Sequence, residues 1–284
     1  MQPHHPGTTR HHRIGLAGAA LVLGLALLSA CSNAPPAPPP ARTAPAEVRQ
    51  VLAPTGVLRI AVYPGSPTSL LPGATPADAR GVTVDVGRLV AQRLGVPAEL
   101  VVLPRVAEVV AALKAGRADL TITNATPARA AEVDFTAPLL GLELGFLVPA
   151  GSAVQTADAI DRPGMRVGVS QGSSSQAALT QRFNAASVVP QPTLQAAAEA
   201  LQAGRIDAFA TNKGILFELA DGLPGARVLD GRWGLEHLAI AVPPGRRAAQ
   251  AWLQVVAADL VASGAVQQAA QRAGLRGTAA PAAP

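Results

Sequence analysis

The stretch ALKAGRADLTITN at residues 112–124 recurs as ALQAGRIDAFATN at residues 200–212, with eight of the thirteen aligned positions identical. In both copies, apolar residues at helical spacing precede a glycine, Gly116 or Gly204, where a left-handed helix end is favoured. A short apolar run follows each glycine and ends in Thr-Asn, which predicts a buried strand with a polar carboxyl end. The repeat therefore predicts two similar α/β lobes. The alternative is a duplicated scaffold without any role in ligand binding.

Strand and helix patterns alternate around both copies of the repeat. Apolar strand-like runs and helical stripes follow one another up to the first copy, and the same order restarts at Pro163-Gly164. Such alternation predicts an α/β protein with mostly parallel sheets. Because α/β sheets hold ligands in the loops beyond the carboxyl ends of their strands, Asn124 and Asn212 are candidate site residues.

Two further apolar runs, residues 144–149 and 238–243, predict strands that cross between the lobes as a hinge. The helix predicted over residues 248–261 then returns to the first lobe. The fold expected is two Rossmann-like lobes joined by two hinge strands. Lobe one comprises residues 51–147 and 240–276, and lobe two comprises residues 148–239. Lobes joined in this way can close on a small ligand by hinge bending.

The N-terminus has the pattern of a secretory signal over residues 1–30, with basic residues before an apolar run that is short for a membrane span. Leu28-Ser29-Ala30-Cys31 resembles the bacterial lipobox, which predicts lipidation of Cys31. A chance cysteine after an ordinary signal is the alternative. By resemblance to Gram-negative lipoproteins, Ser32 permits transport to the outer membrane. Residues 31–50, rich in Pro and Ala, predict a tether, and residues 277–284 a flexible tail.

The composition argues against several classes of function. The chain is 49% hydrophobic and only 3% aromatic, and it has a single cysteine. It has no run of Lys and Arg and no zinc-ligand spacing, so we expect no nucleic acid, metal or cofactor. His237 is the only histidine after the predicted signal, and no Ser/His/Asp set emerges. We therefore expect a binding protein rather than an enzyme.

The sequence resembles the bacterial extracellular solute-binding proteins of family 3 over nearly all of residues 56–275. The stretches that carry the resemblance are GVLRIAV, GVTVDVGRLVAQRLG, ALKAGRADLTITNATPARAAEVDFTAPLL, GMRVGVSQGSSS and ALQAGRIDAFATN, with TPAR…VDFTAPL the most specific. The resemblance implies a type II periplasmic-binding-protein fold. It further implies a monomeric receptor on the periplasmic side of the cell envelope, which passes a small solute to an ABC permease.

Arg129 is the leading candidate for ligand binding, and Thr126 is a second candidate in the same segment. Thr126 as N-cap and Pro127 at the first helical position predict that Arg129 lies in the first turn of a helix. Free backbone N–H groups and a guanidinium together favour an anion. The alternative is a local pair with Glu132. The resemblance implies that Arg129 binds the α-carboxylate of the ligand.

Lobe two contributes Ser173 and Ser174, in the segment QGSSSQ. Ser173 with Gln176 reads equally as a structural capping box, whereas the resemblance implies that this turn donates backbone N–H groups to the same carboxylate. Tyr63 is a candidate stacking wall or a rim residue. Lys213 is either a solvated surface residue or an added positive charge in the cleft.

Asn212 departs from the pattern of the resembled family, which usually places there an aspartate that pairs with the α-ammonium of the ligand. We therefore expect ordinary α-amino acids to bind weakly. The preferred solute would have an acidic end at Arg129 and a neutral polar end at Asn212 and Asn124. One alternative function is an enzyme on the same scaffold, similar to cyclohexadienyl dehydratases, but the predicted cleft offers no acid for it. Another is a ligand sensor that acts on a membrane signalling partner.

Overall fold

The computed structural model of the chain describes residues 44–279. The predicted signal peptide, Cys31 and Ser32 lie outside the described residues. So do residues 31–43 of the predicted tether and residues 280–284 of the predicted tail.

The first lobe is formed by segments from both ends of the described chain. Its elements are α1 (Ala46–Leu52), β1 (Leu58–Val62), α2 (Val82–Leu94), β2 (Ala98–Val102), α3 (Val106–Lys114), β3 (Thr121–Asn124), α4 (Pro127–Ala130), the first part of β4 (Asp134–Val148), α8 (Arg247–Ala262), α9 (Ala265–Arg272) and β10 (Thr278–Ala279). Fully buried side chains such as Ile60, Leu142 and Leu253 fill its core.

The second lobe lies between these segments in the chain. Its elements are β5 (Arg166–Ser170), α5 (Ser174–Arg182), β6 (Ser187–Gln191), α6 (Leu194–Gln202), β7 (Ala208–Asn212), α7 (Lys213–Asp221), β8 (Arg227–Val228) and the first part of β9 (Gly234–Val242). Two short 3₁₀ turns, Pro76–Asp78 in lobe one and Ala157–Ala159 in lobe two, complete the structure. Phe146, Val167 and Phe209 are buried in the second lobe.

The two predicted crossing strands are β4 and β9, and they pair with each other from Asp134↔Val242 to Leu144↔Gly234. The strand order of the larger sheet is β3-β9-β4-β7-β5-β6, while β1 pairs with β2 separately. The expectation of mostly parallel sheets is wrong at the centre, where β4 and β9 run antiparallel to each other and to β7 and β3. The reason is that the chain leaves lobe one along β4 and returns along β9. Trp233, just before β9, donates from Nε1 to the carbonyl oxygen of Gly145 at 3.0 Å.

The predicted two-lobe α/β fold is confirmed, and both repeat copies form the same helix–turn–strand unit. Gly116 and Gly204 have φ angles of 67° and 62°, which a glycine adopts without steric cost. In lobe one, Arg59 donates to both carboxylate oxygens of Asp119 and to the carbonyl oxygen of Gly116. In lobe two, Arg166 makes the same contacts with Asp207 and Gly204. We call these two units the arginine clamps.

The tether predicted over residues 31–50 is too long at its C-terminal end, because its last residues belong to the folded lobe. Ala44 is buried, and α1 places Val48 and Leu52 in the core of lobe one. The spacing of these two apolar residues puts them on one face of a helix, which overrides the Pro- and Ala-rich composition that precedes them.

The tail predicted from residue 277 is also wrong at its start. Gly277 accepts a hydrogen bond from Glu143 N, and Thr278 and Ala279 pair with Leu142 and Gly141 of β4. We call residues 275–279 the C-terminal strap. It reaches lobe two through Arg276, which pairs with Asp221 and lies 4.7 Å above the ring of Phe217.

The predicted C-terminal helix is present as α8, and its Leu253 and Leu260 pack in the core of lobe one. Within residues 44–279, no single helix has both the length and the apolar composition to cross a bilayer. Only α8 and α9 taken together, bent by 67°, reach those values.

Candidate functional site

A narrow cleft lies between the two lobes, at the carboxyl ends of β3 and β7. The space within it that is open to the centre of a water molecule is about 40 Å³, enough for a few waters. Its lining comes from both lobes and from β9: Tyr63, Thr68, Pro104, Arg105, Val106, Ile122, Thr123, Asn124, Arg129, Ser170, Ser173, Ser174, Ser175, Thr193, Leu194, Thr211, Asn212, Ile215, Glu236 and Leu238. The repeat thus brings its two Thr-Asn ends to one place.

Arg129 lines this cleft, in the single turn of α4 that follows β3. Its Nη1 donates to Thr123 Oγ1 at 2.7 Å and to Asn124 O at 3.3 Å. Among the described residues, its Nε and Nη2 groups have no hydrogen-bond acceptor. The alternative pairing with Glu132 is wrong, because Glu132 binds Lys114 Nζ at 2.9 Å.

Burial lowers the pKa of Arg129, and the charge of Glu236 partly offsets this effect. A guanidinium nevertheless stays protonated in proteins. The cleft therefore holds a fixed positive charge with unused donors.

Glu236 is a cleft residue that the sequence analysis missed, so the expectation of a cleft without an acid is wrong. Glu236 is only 7% exposed. Oε1 accepts from Ser174 Oγ at 3.2 Å, and Oε2 accepts from Asn212 Nδ2 at 3.0 Å. Burial raises the pKa of Glu236, while Arg129, Asn212 and Ser174 act in the opposite direction. The signal that could have found it is its position in β9, since Glu236 lies two and four residues before the buried Leu238 and Ile240 and therefore on the same face of the strand.

The two asparagines of the repeat are both engaged by protein groups. Asn124 Nδ2 donates to Ser174 Oγ at 3.2 Å, and its Oδ1 accepts from His237 N at 2.9 Å. Asn212 Oδ1 accepts from Ile215 N at 3.1 Å and so caps α7. One chain of hydrogen bonds joins four side chains in the order Asn124, Ser174, Glu236 and Asn212. It connects lobe one, lobe two and β9.

Ser173 caps α5 by accepting from Gln176 N at 3.1 Å, which confirms its predicted structural role, and it also lines the cleft. The predicted contact of this turn with the carboxylate of the ligand stays a prediction. Tyr63 is half-buried in the cleft wall, and burial raises its pKa. Thr126 is not among the described residues that line the cleft. Its hydroxyl accepts from Arg129 N at 3.3 Å, so its contribution is to start α4.

Neither alternative for Lys213 is correct. Its side chain is 12% exposed and pairs with Glu143 of β4 at 2.7 Å, away from the cleft lining. Because α7 begins directly after β7, Lys213 is turned toward the crossing strand while Asn212 faces the cleft.

Arg105 is the third charged residue of the lining, and Glu108 pairs with it at 2.8 Å. Arg129 and Glu236 are therefore the two charges of the lining that a solute can complement. Residues 44–279 contain no group of three or more His, Cys, Asp and Glu side chains placed to hold a metal ion.

Solved structures with the same fold include binding proteins for several solutes. A solute receptor for L-cysteine from Neisseria gonorrhoeae is 24% identical, with a TM-score of 0.71, and the match covers 80% of this chain and 92% of that one. A substrate-binding protein bound to L-arginine from Streptococcus pneumoniae is 18% identical, with a TM-score of 0.71 over 79% and 97% of the two chains. An ancestral amino acid-binding protein, a precursor of cyclohexadienyl dehydratase, is 21% identical, with a TM-score of 0.68 over 79% and 98%.

A search of curated protein sequences finds no significant match. A family model does match, over residues 58–274, and this span contains every cleft residue described above. The chain therefore belongs to the bacterial extracellular solute-binding proteins, family 3.

Proposed function

We propose that this protein is a receptor that closes on a small carboxylate-bearing solute of the amino-acid class and delivers it to an ABC-type importer. Both lobes of one chain line the cleft, so the proposal takes one copy of the chain as the receptor. Structural neighbours that bind L-arginine and L-cysteine support the class of solute.

The observation that carries the proposal is the unused donor capacity of Arg129. A half-buried guanidinium with Nε and Nη2 unpartnered in the described chain can grip a carboxylate through two parallel hydrogen bonds. Thr123 and the backbone of Asn124 hold Nη1 in place, so the guanidinium is ordered before the ligand arrives. An ordered site loses less conformational entropy on binding.

Substitution of Arg129 tests this assignment. We expect Arg129→Ala to weaken binding of the solute at least a hundredfold, and Arg129→Lys to recover only part of the loss, because an ammonium lacks the planar pair of donors. Isothermal titration calorimetry with the best ligand from a thermal-shift screen of amino acids and carboxylates gives the affinities.

Lys114→Ala is the matched control, since it removes one positive charge near α4 without touching the cleft. Wild-type affinity in Arg129→Ala, with the control also unchanged, would contradict the anion site.

We further propose that Cys31 is acylated and attaches the receptor to the cell envelope on its periplasmic side, with Ser32 permitting the outer membrane. The lipobox-like sequence supports this placement. The proposal adds that α1 joins the attached segment to lobe one, because Val48 and Leu52 are part of that core.

Glu236 supports a second candidate function, an enzyme similar to cyclohexadienyl dehydratases, since it supplies the acid that such a cleft needs. A general acid must hold a proton, and burial raises the pKa of Glu236, whereas its two donors and Arg129 act in the opposite direction. The structural neighbours named above include receptors for amino acids, and Arg129 has unused donors for a carboxylate. We therefore favour binding. Incubation with a cyclohexadiene carboxylic acid, followed by the absorbance of an aromatic product, separates the two functions.

A further inference from the structure

We infer that the cleft selects zwitterionic amino acids with uncharged side chains, and that Glu236, positioned by Asn212, binds their ammonium group. This inference rests on the proposed function, in which Arg129 binds the carboxylate. It reverses the expectation from the sequence that the solute has a neutral end at Asn212.

The first step is the charge balance of Glu236. A buried carboxylate is costly unless a cation or several donors compensate it. Glu236 has donors from Ser174 and Asn212, and Arg129 acts on it electrostatically without forming a direct ion pair among the described residues. A carboxylate has about four lone-pair sites, so capacity for a ligand donor remains. An ammonium group meets this need in both charge and hydrogen bonding.

The second step is the orientation of Asn212. Its Oδ1 is committed to Ile215 N as the cap of α7, so its Nδ2 must point the other way, toward Glu236 Oε2. Asn212 is thus a positioning residue that holds the carboxylate. An aspartate at this position would face Glu236 across about 3 Å, and two carboxylates that close cannot both be charged. The amide at residue 212 is the complement of the acid at residue 236.

The third step is the rest of the wall, which decides the side chain of the solute. Arg105 is neutralised by Glu108, so the cleft has no unpaired charge for a charged side chain. The remaining lining consists mainly of hydroxyl-bearing and aliphatic residues, with Tyr63.

The test uses calorimetry of wild type, Glu236→Gln, Asn212→Asp and the double variant. The probes are L-alanine, L-cysteine and L-glutamine, the charged L-arginine and L-glutamate, and L-lactate, which has a hydroxyl in place of the ammonium of L-alanine. We expect at least one neutral amino acid to bind wild type, and lactate to bind at least tenfold more weakly than L-alanine. Glu236→Gln should weaken amino-acid binding at least tenfold, since a charge-assisted hydrogen bond becomes a neutral one. The affinity for L-alanine should then be closer to the affinity for L-lactate than it is in wild type.

The double variant Asn212→Asp/Glu236→Gln exchanges the carboxylate and the amide of one hydrogen-bonded pair. The cleft keeps one acid, so this variant should recover most of the affinity that Glu236→Gln loses. Glu143→Gln is the matched control, because Glu143 is also on a crossing strand but pairs with Lys213 outside the cleft. It should bind as wild type does. Circular dichroism confirms that each variant is folded.

Two results would overturn the inference. One is amino-acid binding by Glu236→Gln with wild-type affinity, and the other is equal binding of lactate and L-alanine by wild type. If lactate binds in a manner that depends on Arg129 while no amino acid binds, this inference fails and the proposed function stands. If no carboxylate binds at all, both fail.

Discussion

At the scale of single residues, the two arginine clamps share one chemistry but differ in burial. Asp119 has a fully buried side chain and accepts from Arg246 as well as from Arg59. The side chain of Asp207 is 33% exposed and pairs with Arg166. Each aspartate also accepts from the backbone N–H of its arginine, so each clamp ties a strand to the turn after a repeat helix.

This difference predicts unequal costs for one substitution. Asp119→Ala leaves two mostly buried arginines, Arg59 and Arg246, without their shared carboxylate and should cost about 3–5 kcal/mol. Asp207→Ala should cost about 1 kcal/mol, because water reaches its partner. Urea unfolding of both variants gives the free energies, and equal losses would show that burial does not set the strength of the clamps.

The same contrast explains what could be predicted at the binding site. Arg129 was identified because its signal is local: a capping threonine, a proline and an arginine within four residues. Glu236 was missed because its partners, Ser174 and Asn212, are 62 and 24 residues away in the chain. Spacing rules reach neighbours on one element, whereas a charge pair across three elements depends on how the lobes pack.

At the scale of elements, the C-terminal strap is a third connection between the lobes, besides β4 and β9. It pairs with β4, and its residues Gly277 and Arg276 contact α7 of lobe two. The Ala- and Pro-rich sequence after Arg276 gave no strand pattern, and so short a strand forms only because β4 offers it an edge.

Alanine substitutions at two glycines test how tightly the C-terminal strap packs. Gly274 and Gly277 have φ angles of 64° and 73°, so replacement by alanine strains both backbones by about 1 kcal/mol. Only at Gly277 would the new Cβ meet a neighbour, Lys213 Cβ at 2.5 Å, whereas the site at Gly274 is open. Gly277→Ala should therefore lose a further ~1–3 kcal/mol of stability. Equal unfolding midpoints for Gly277→Ala and Gly274→Ala would mean that the strap does not pack on α7.

At the scale of the whole molecule, the α/β class and the hinge were predictable because both repeat copies and both crossing strands are strong local patterns. The central antiparallel pairing was not, since it depends on the path of the chain between lobes rather than on any one segment. For the same reason the sequence predicted α8 but not its packing with α1. These two helices lie near opposite ends of the described chain, and only the shared core of lobe one brings them together.

Attachment to a membrane is also a property of the whole molecule. We expect the full chain, expressed in a Gram-negative host, to partition with membranes and to carry acyl groups by mass spectrometry. Cys31→Ser should be released or left unprocessed, because each acyl methylene contributes about 0.8 kcal/mol to anchoring. Recovery of the unmodified chain as a free periplasmic protein would contradict the proposed anchor.

The hydrogen bond from Trp233 to Gly145 places an intrinsic fluorophore beside the crossing strands. The chain has two tryptophans and one tyrosine. Trp233 bridges the crossing strands, Trp252 packs against the core of lobe one, and Tyr63 is in the cleft wall. Any rotation of the lobes about β4 and β9 changes the surroundings of the Trp233 indole while those of Trp252 stay constant. A Trp252→Phe chain thus has one emitter beside the hinge, whose fluorescence wavelength follows opening and closing without an attached dye.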